Sequence, residues 1–192
     1  MINEALNRDY EIIGGKKFMS PAPILGHSNI VTEILTSINN YLRIRHCGYV
    51  FADDTDVHLP DGNLFKPDVV VVTKENANIM NWGGAIYGVP DMVVEVISPS
   101  TRVKDLTVKK YAYEANGIKE YWIVDPYIKT VDVYLLRNSK YELDSSYVKY
   151  SDYDWQNLSD EEKAAYRSEI KVSIFEDLFI KVDDIFSWGY DF

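Results

Sequence analysis

The sequence predicts an α+β (α/β-like) fold, a mixed β-sheet flanked by helices, and three observations carry that expectation. Two short β-branched runs, Val69 to Val72 and Met92 to Ile97, are each introduced by proline and aspartate and read as central strands. Two stretches repeat apolar residues at helical spacing, one on either side of those strands. Hairpin signals stand near the beginning and again after Asp125-Pro126. Strands alternating with helices suit a sheet with helices packed on it. At 192 residues the chain is the size of one domain, taken as residues 1–192.

The elements follow in order. Tyr10 to Ile13 and Lys17 to Met19 flank Gly14-Gly15, a pair that tolerates the positive φ angles of a tight turn, and predict a hairpin. From about Ser28, the residues Ile30, Ile34, Leu35, Ile38, Tyr41 and Leu42 form one apolar stripe, with Gly48 past its end, and predict the first helix. A strand over 49–59 turns at Asp61-Gly62. Between the two central strands, residues 74–89 contain Gly83, Gly84 and Gly88 and read as a loop able to cover a site. After Ser98-Pro99, Ser100 or Thr101 can cap a second helix, carrying Val103, Leu106, Lys110 and Tyr113 and ending at Gly117. Strands follow at 121–124, 131–136 and 141–143, then an acidic surface insertion at 151–169 with one short helix from Asp160 and a strand at 170–174.

Composition narrows the function classes. Cys47 is the single cysteine, which excludes an internal disulfide and a multi-cysteine zinc site and points to a reducing cytoplasm. Polar residues interrupt the first twenty positions, so no secretory leader is expected, and every candidate membrane span is broken by Lys, Asp or Glu. A net charge of −10 weighs against non-specific coating of nucleic acid. The acid is concentrated late, however, while Lys104, Lys109 and Lys110 cluster mid-chain and leave room for a local basic groove.

The chemistry centres on Glu95, whose neighbours Val93, Val94, Val96 and Ile97 all call for burial. A buried carboxylate takes up a proton, pairs with a cation or binds a metal. Asp68 opens the other central strand, and two carboxylates on neighbouring strands can hold Mg²⁺ or Mn²⁺, with water and phosphate in the remaining positions. Phosphodiester hydrolysis then needs a cation near the phosphate. The simplest place for a lysine, two residues beyond Glu95, holds Ile97. The nearest substitutes are Lys104, Lys109 and Lys110, with Lys109 sharing a helical face with Asp105 and Tyr113. A surface Asp105–Lys109 pair is the plainer alternative. Glu33 on the first helix and His27 just before it are accessory candidates, each set against a solvated surface role. His46 and His58 have no motif around them, and Tyr113 and Trp122 read as core.

Pro67-Asp68 with the apolar run behind it, Val94-Glu95-Val96-Ile97-Ser98-Pro99-Ser100-Thr101, Asp105, Lys109, Tyr113, Gly117-Ile118, Glu120-Tyr121-Trp122 and Asp125-Pro126 occur in an order that resembles the Uma family of restriction endonuclease-like proteins. The resemblance runs from Gly14 to about Asp125, with a looser tail through Phe186. It implies a PD-(D/E)XK core, with Asp68 and Glu95 as metal ligands and Lys109 in the role of the displaced lysine. The function implied is metal-dependent endonuclease action on nucleic acid, DNA above all, and cutting both strands of a duplex favours a homodimer. A binding or assembly module that retains the fold without the chemistry is the alternative, separated from the enzyme by whether Lys109 meets Asp68 and Glu95.

Overall fold

The computed structural model describes residues 10–19, 23–52 and 54–187; the stretch over 1–9, part of the argument against a leader, lies outside them. The chain runs β1 (Tyr10–Ile13), β2 (Lys16–Met19), α1 (Leu25–Arg45), β3 (Gly48–Ala52), β4 (Val57–His58), β5 (Leu64–Phe65), β6 (Val69–Thr73), a 3-10 turn (Lys74–Ile79), β7 (Ile86–Tyr87) and β8 (Met92–Val96). Next come α2 (Arg102–Lys104), a π-helical turn (Asp105–Lys109), α3 (Lys110–Asn116), β9 (Glu120–Asp125), β10 (Thr130–Arg137) and β11 (Lys140–Val148). The described chain closes with α4 (Asp152–Asn157), α5 (Asp160–Ala165), β12 (Glu169–Lys171), β13 (Phe179–Lys181) and α6 (Val182–Ile185).

The six-stranded main sheet has the order β11-β10-β9-β8-β6-β3. Only β8 and β9 run parallel in it, and the helical segment between them supplies the crossover that a parallel pair requires. A smaller sheet, β2-β1-β5-β4-β7, brings the N-terminal hairpin into the fold, with Gly14 and Gly15 at φ of 56° and 75° in its turn. Strand β12 pairs with β13 separately.

Alternation along β6 and β8 sorts side chains to two faces. Val69, Val71, Val94 and Val96 meet Ile30, Ile34 and Ile38 of α1 in one core. Val70, Val72, Val93 and Ile97 join Phe65, Tyr113 and Tyr121 in the other. Each fully buried aliphatic is worth roughly 1.5–3 kcal/mol, so the α1 stripe holds that helix against the sheet more strongly than helix propensity does. Parity puts Glu95 on the second face, between Val93 and Ile97.

Some sequence expectations shift. Helix α1 starts at Leu25, so His27 lies in its first turn rather than before it. The acidic segment forms two short exposed helices instead of one, because Ser151 and Ser159 each cap a turn, the latter in a reciprocal box with Glu162. Residues 74–89 do not line the pocket of Asp68 and Glu95, and Lys74 and Trp82 instead line a groove beside β3. Two buried carboxylates brace the sheet from within. Asp91 accepts from Thr73 N (2.8 Å) and Lys119 Nζ (2.7 Å), and Glu120 accepts from Trp122 Nε1 (2.6 Å) and Ser173 N (2.7 Å).

Candidate active site

Pro67 has no backbone N–H and ends the β6–β8 ladder at the Val69–Val94 pair. The next position places Asp68 opposite Glu95, and opposed residues on antiparallel strands share a face with Cβ atoms about 5 Å apart. The Asp68 carboxylate takes over where the ladder stops, accepting Val96 N–H at 2.6 Å through Oδ2. His27 Nε2 lies 3.1 Å from the same oxygen, reaching it from the first turn of α1.

Glu95 is held at both oxygens. Lys109 Nζ donates to Oε2 at 2.8 Å and the Tyr113 hydroxyl donates to Oε1 at 2.7 Å. Lys109 and Asp105 belong to the π-helical turn, a wider winding that recurs at functional sites, and both are buried rather than forming a surface pair. Around the Lys109 ammonium stand Glu95, Glu11 at 3.0 Å and Asp105 at 3.4 Å. Glu11 arrives from β1, also accepts Lys104 Nζ at 2.6 Å, and is tied at Oε1 to Lys66 N–H at 3.2 Å. These groups line a pocket of about 530 Å³ together with Asp68 and His27.

Burial pushes the Glu95 carboxyl well above its usual range, with Asp105, Asp68 and Glu11 adding to the push and Lys109 only partly offsetting it. Burial likewise raises Asp105. Glu11 moves the other way: burial opposes its ionisation, but Lys109 and Lys104 together outweigh that and keep it ionised. Burial disfavours the charged form of Lys109, yet the surrounding carboxylates, Glu95 foremost, hold its pKa well above the usual lysine value. Three buried carboxyls, those of Glu11, Glu95 and Asp105, thus share the one buried ammonium of Lys109.

Of the sequence candidates, Asp68, Glu95, Lys109, Asp105 and His27 come together here, whereas Glu33 does not line the pocket. Lys110 turns away to lie over the Tyr134 ring, 3.5 Å from its centroid. Two participants escaped the sequence reading. The Tyr113 ring is core as expected, but its hydroxyl fixes Glu95. Glu11 shares the inward face of β1 with Ile13, and an acid alternating in step with a buried isoleucine is the signal that could have flagged it.

A family model described as "Putative restriction endonuclease", that of Uma2, matches residues 3–160. The chain belongs to the Uma2 family. A crystal structure from Anabaena variabilis ATCC 29413, described as "a putative nuclease belonging to DUF820", is similar over 93% of this chain and 90% of that one, with a TM-score of 0.70 and 22% identity. That likeness establishes the shared fold. No curated protein matches.

The nuclease fold of this Uma2 member implies a divalent metal, and the donor set suits one. Among the described residues no three His, Cys, Asp or Glu side chains form a ready metal cage. Mg²⁺ needs less: one or two carboxylates suffice, with water and substrate oxygens completing the shell. Asp68 and Glu95 are hard oxygen donors on one face, and the buried Asp105 Oδ1 atom accepts no hydrogen bond among the described residues but faces the Lys109 ammonium in a long ion pair of 3.4 Å. Three buried carboxyls around one buried ammonium are chemistry that a hard cation discharges.

Proposed function

We propose that this Uma2 protein is an endonuclease that hydrolyses phosphodiester bonds of nucleic acid, DNA in the first place, with Mg²⁺ or Mn²⁺ bound by Asp68 and Glu95. One observation carries the reading: Lys109 Nζ, from a helix 14 residues further along the chain, converges at 2.8 Å on Glu95 in the pocket that Asp68 also lines. That is where a cation is needed once position 97 holds isoleucine.

When bound, the metal polarises the phosphate and lowers the pKa of a water molecule, making a nucleophile available near neutral pH. The remaining roles fall to the chain. His27 and Val96 N–H orient Asp68, and Tyr113 orients Glu95. Lys109 stabilises negative charge as it gathers on the phosphate, acting mainly in the transition state. Asp105 and Glu11 keep that ammonium charged and aimed into the pocket, so the accessory acid is Glu11 rather than Glu33. The single cysteine supports a cytoplasmic setting. Cleavage of both duplex strands supports a homodimer with two sites related by a two-fold axis, which a monomeric mass by light scattering would remove.

The test combines cleavage of supercoiled, linear and single-stranded DNA with Mn²⁺ titration, for wild type and Glu95→Ala. Metal-dependent cleavage and Mn²⁺ binding are expected in the wild type and absent in the variant. Equal Mn²⁺ binding by the two would overturn the ligand assignment. The competing reading, a silent module, draws on the fact that both Glu95 oxygens are already hydrogen-bonded within the protein. Its signature is a wild type that neither binds Mn²⁺ nor cuts.

A further inference from the structure

The pocket has a difficulty as a nucleic-acid site: its lining includes five carboxylates, Asp54 among them, against three lysines. A metal offsets part of that charge, but a polyanion approaching a chain of net charge −10 still needs a cationic foothold elsewhere. A second groove, about 480 Å³, supplies the opposite balance. Arg43 and His46 reach it from the end of α1 and Lys74 from the end of β6, and no carboxylate lines it. Most arginines and lysines near the pocket are committed to carboxylates, as in Lys66–Asp54, Lys104–Glu11 and Arg102–Asp125. Arg43, His46 and Lys74 form no ion pair with a described residue and face solvent.

The groove also holds an aromatic platform. Trp82 is 74% exposed, unusual for the largest apolar side chain, yet it is not loose. Its ring meets Tyr49 at 5.3 Å and 80° and Phe51 at 6.2 Å and 65°, edge-type contacts that fix the indole while leaving much of it open. Tyr49 and Phe51 belong to β3, the edge strand of the main sheet, so the platform stands on a rigid element. Cations beside an anchored, open aromatic ring match the chemistry that holds single-stranded nucleic acid, where phosphates seek positive charge and unpaired bases stack on aromatic faces.

We propose that this groove is an accessory site for a single-stranded stretch of nucleic acid, an unpaired base stacking on Trp82 while Arg43 and Lys74 hold the flanking phosphates. It rests on the nuclease reading and adds to it where the substrate is gripped away from the cut. The groove is reached at the far end of β6 from Asp68, five residues along the strand, or roughly 17 Å at about 3.3 Å per residue.

The experiment measures binding of a fluorescein-labelled 15-mer of thymidylate by anisotropy in EDTA across a salt series, so that affinity is read without cleavage. Wild type, Trp82→Ala, the double variant Arg43→Ala/Lys74→Ala and Lys110→Ala as a remote control are compared, with circular dichroism to verify folding. Trp82→Ala should weaken binding by about ten-fold, on the scale of losing one base-stacking contact. The double variant should reduce the slope of log K against log salt by about 1.4, two phosphate contacts at roughly 0.7 each. Lys110→Ala should match the wild type. If wild type binds and both groove variants keep its affinity and slope, this proposal falls while the nuclease reading stands. If wild type cuts duplex DNA but binds no single strand, the proposal falls by the same division. A wild-type dimer that Trp82→Ala converts to monomer would assign the groove to a second copy of the chain and overturn it as well.

Discussion

Removing the Lys109 ammonium should disturb stability and catalysis together, and a divalent ion should repair the first without the second. In the folded protein Lys109 is buried and contacts Glu95 at 2.8 Å, Glu11 at 3.0 Å and Asp105 at 3.4 Å. Lys109→Ala leaves those carboxylates without their shared counter-charge. Breaking a buried pair by deleting one partner costs about 3–5 kcal/mol. For a domain of this size each kcal/mol moves Tm by roughly 2–4 °C, so a fall of about 6–20 °C is expected in EDTA. Two of the carboxyls, Glu95 and Asp105, already sit above their usual range through burial and can take up a proton, which should place the loss toward the lower end. Millimolar Mn²⁺ should restore more stability to the variant than to the wild type, because the ion substitutes for the missing charge. Turnover should stay low even so, by about 10²-fold, the scale of one lost preorganised electrostatic group. The assay is thermal unfolding by circular dichroism with EDTA or Mn²⁺, beside single-turnover cleavage with saturating metal. Lys110→Ala is the control, since Lys110 lies over Tyr134 and outside the pocket. A Lys109→Ala protein with wild-type Tm in EDTA would refute the charge argument. Intact cleavage by that variant, together with its abolition in Lys110→Ala, would refute the catalytic one.

Two further outcomes test the carboxylate environments. Asp91 is a brace outside the site whose pKa is lowered: burial opposes ionisation, but Lys119, Thr73 and Asn76 outweigh it. Its stabilisation is therefore present above the ordinary carboxylate range, about pH 4, and lost as pH falls through the depressed folded value. The difference in Tm between wild type and Asp91→Asn should be largest near pH 7 and close in strong acid, and a gap that stays constant from pH 7 to about pH 2.5 would contradict the sign. Tyr113→Phe deletes the hydroxyl that donates to Glu95 Oε1 in a dry environment, so urea unfolding should show a loss of about 1–3 kcal/mol. An unchanged urea midpoint would mean that Glu95 does not depend on that bond.

The parts of this protein legible in the sequence are those governed by local periodicity. β-Branched runs behind Pro67 and Pro90 specify strands, the spacing of Ile30, Ile34 and Ile38 specifies a helix, and alternation alone sets Glu95 among residues that must be buried. A carboxylate there demands a partner, which made Glu95 and Asp68 readable as a pair before any coordinates. Register was not readable. Their facing one another depends on the antiparallel pairing of Val69 with Val94, fixed by how two strands 25 residues apart meet. The sequence narrowed the missing cation to three lysines, and its resemblance to a family favoured Lys109. Only the π turn and its packing bring that ammonium to Glu95 while sending Lys110 to Tyr134. Glu11 lies furthest beyond a one-dimensional reading. It reaches Lys109 across 98 positions because the small sheet folds the N-terminal hairpin against the helix, and although alternation with Ile13 marks Glu11 as inward-facing, nothing in the residues beside it says which partner it meets.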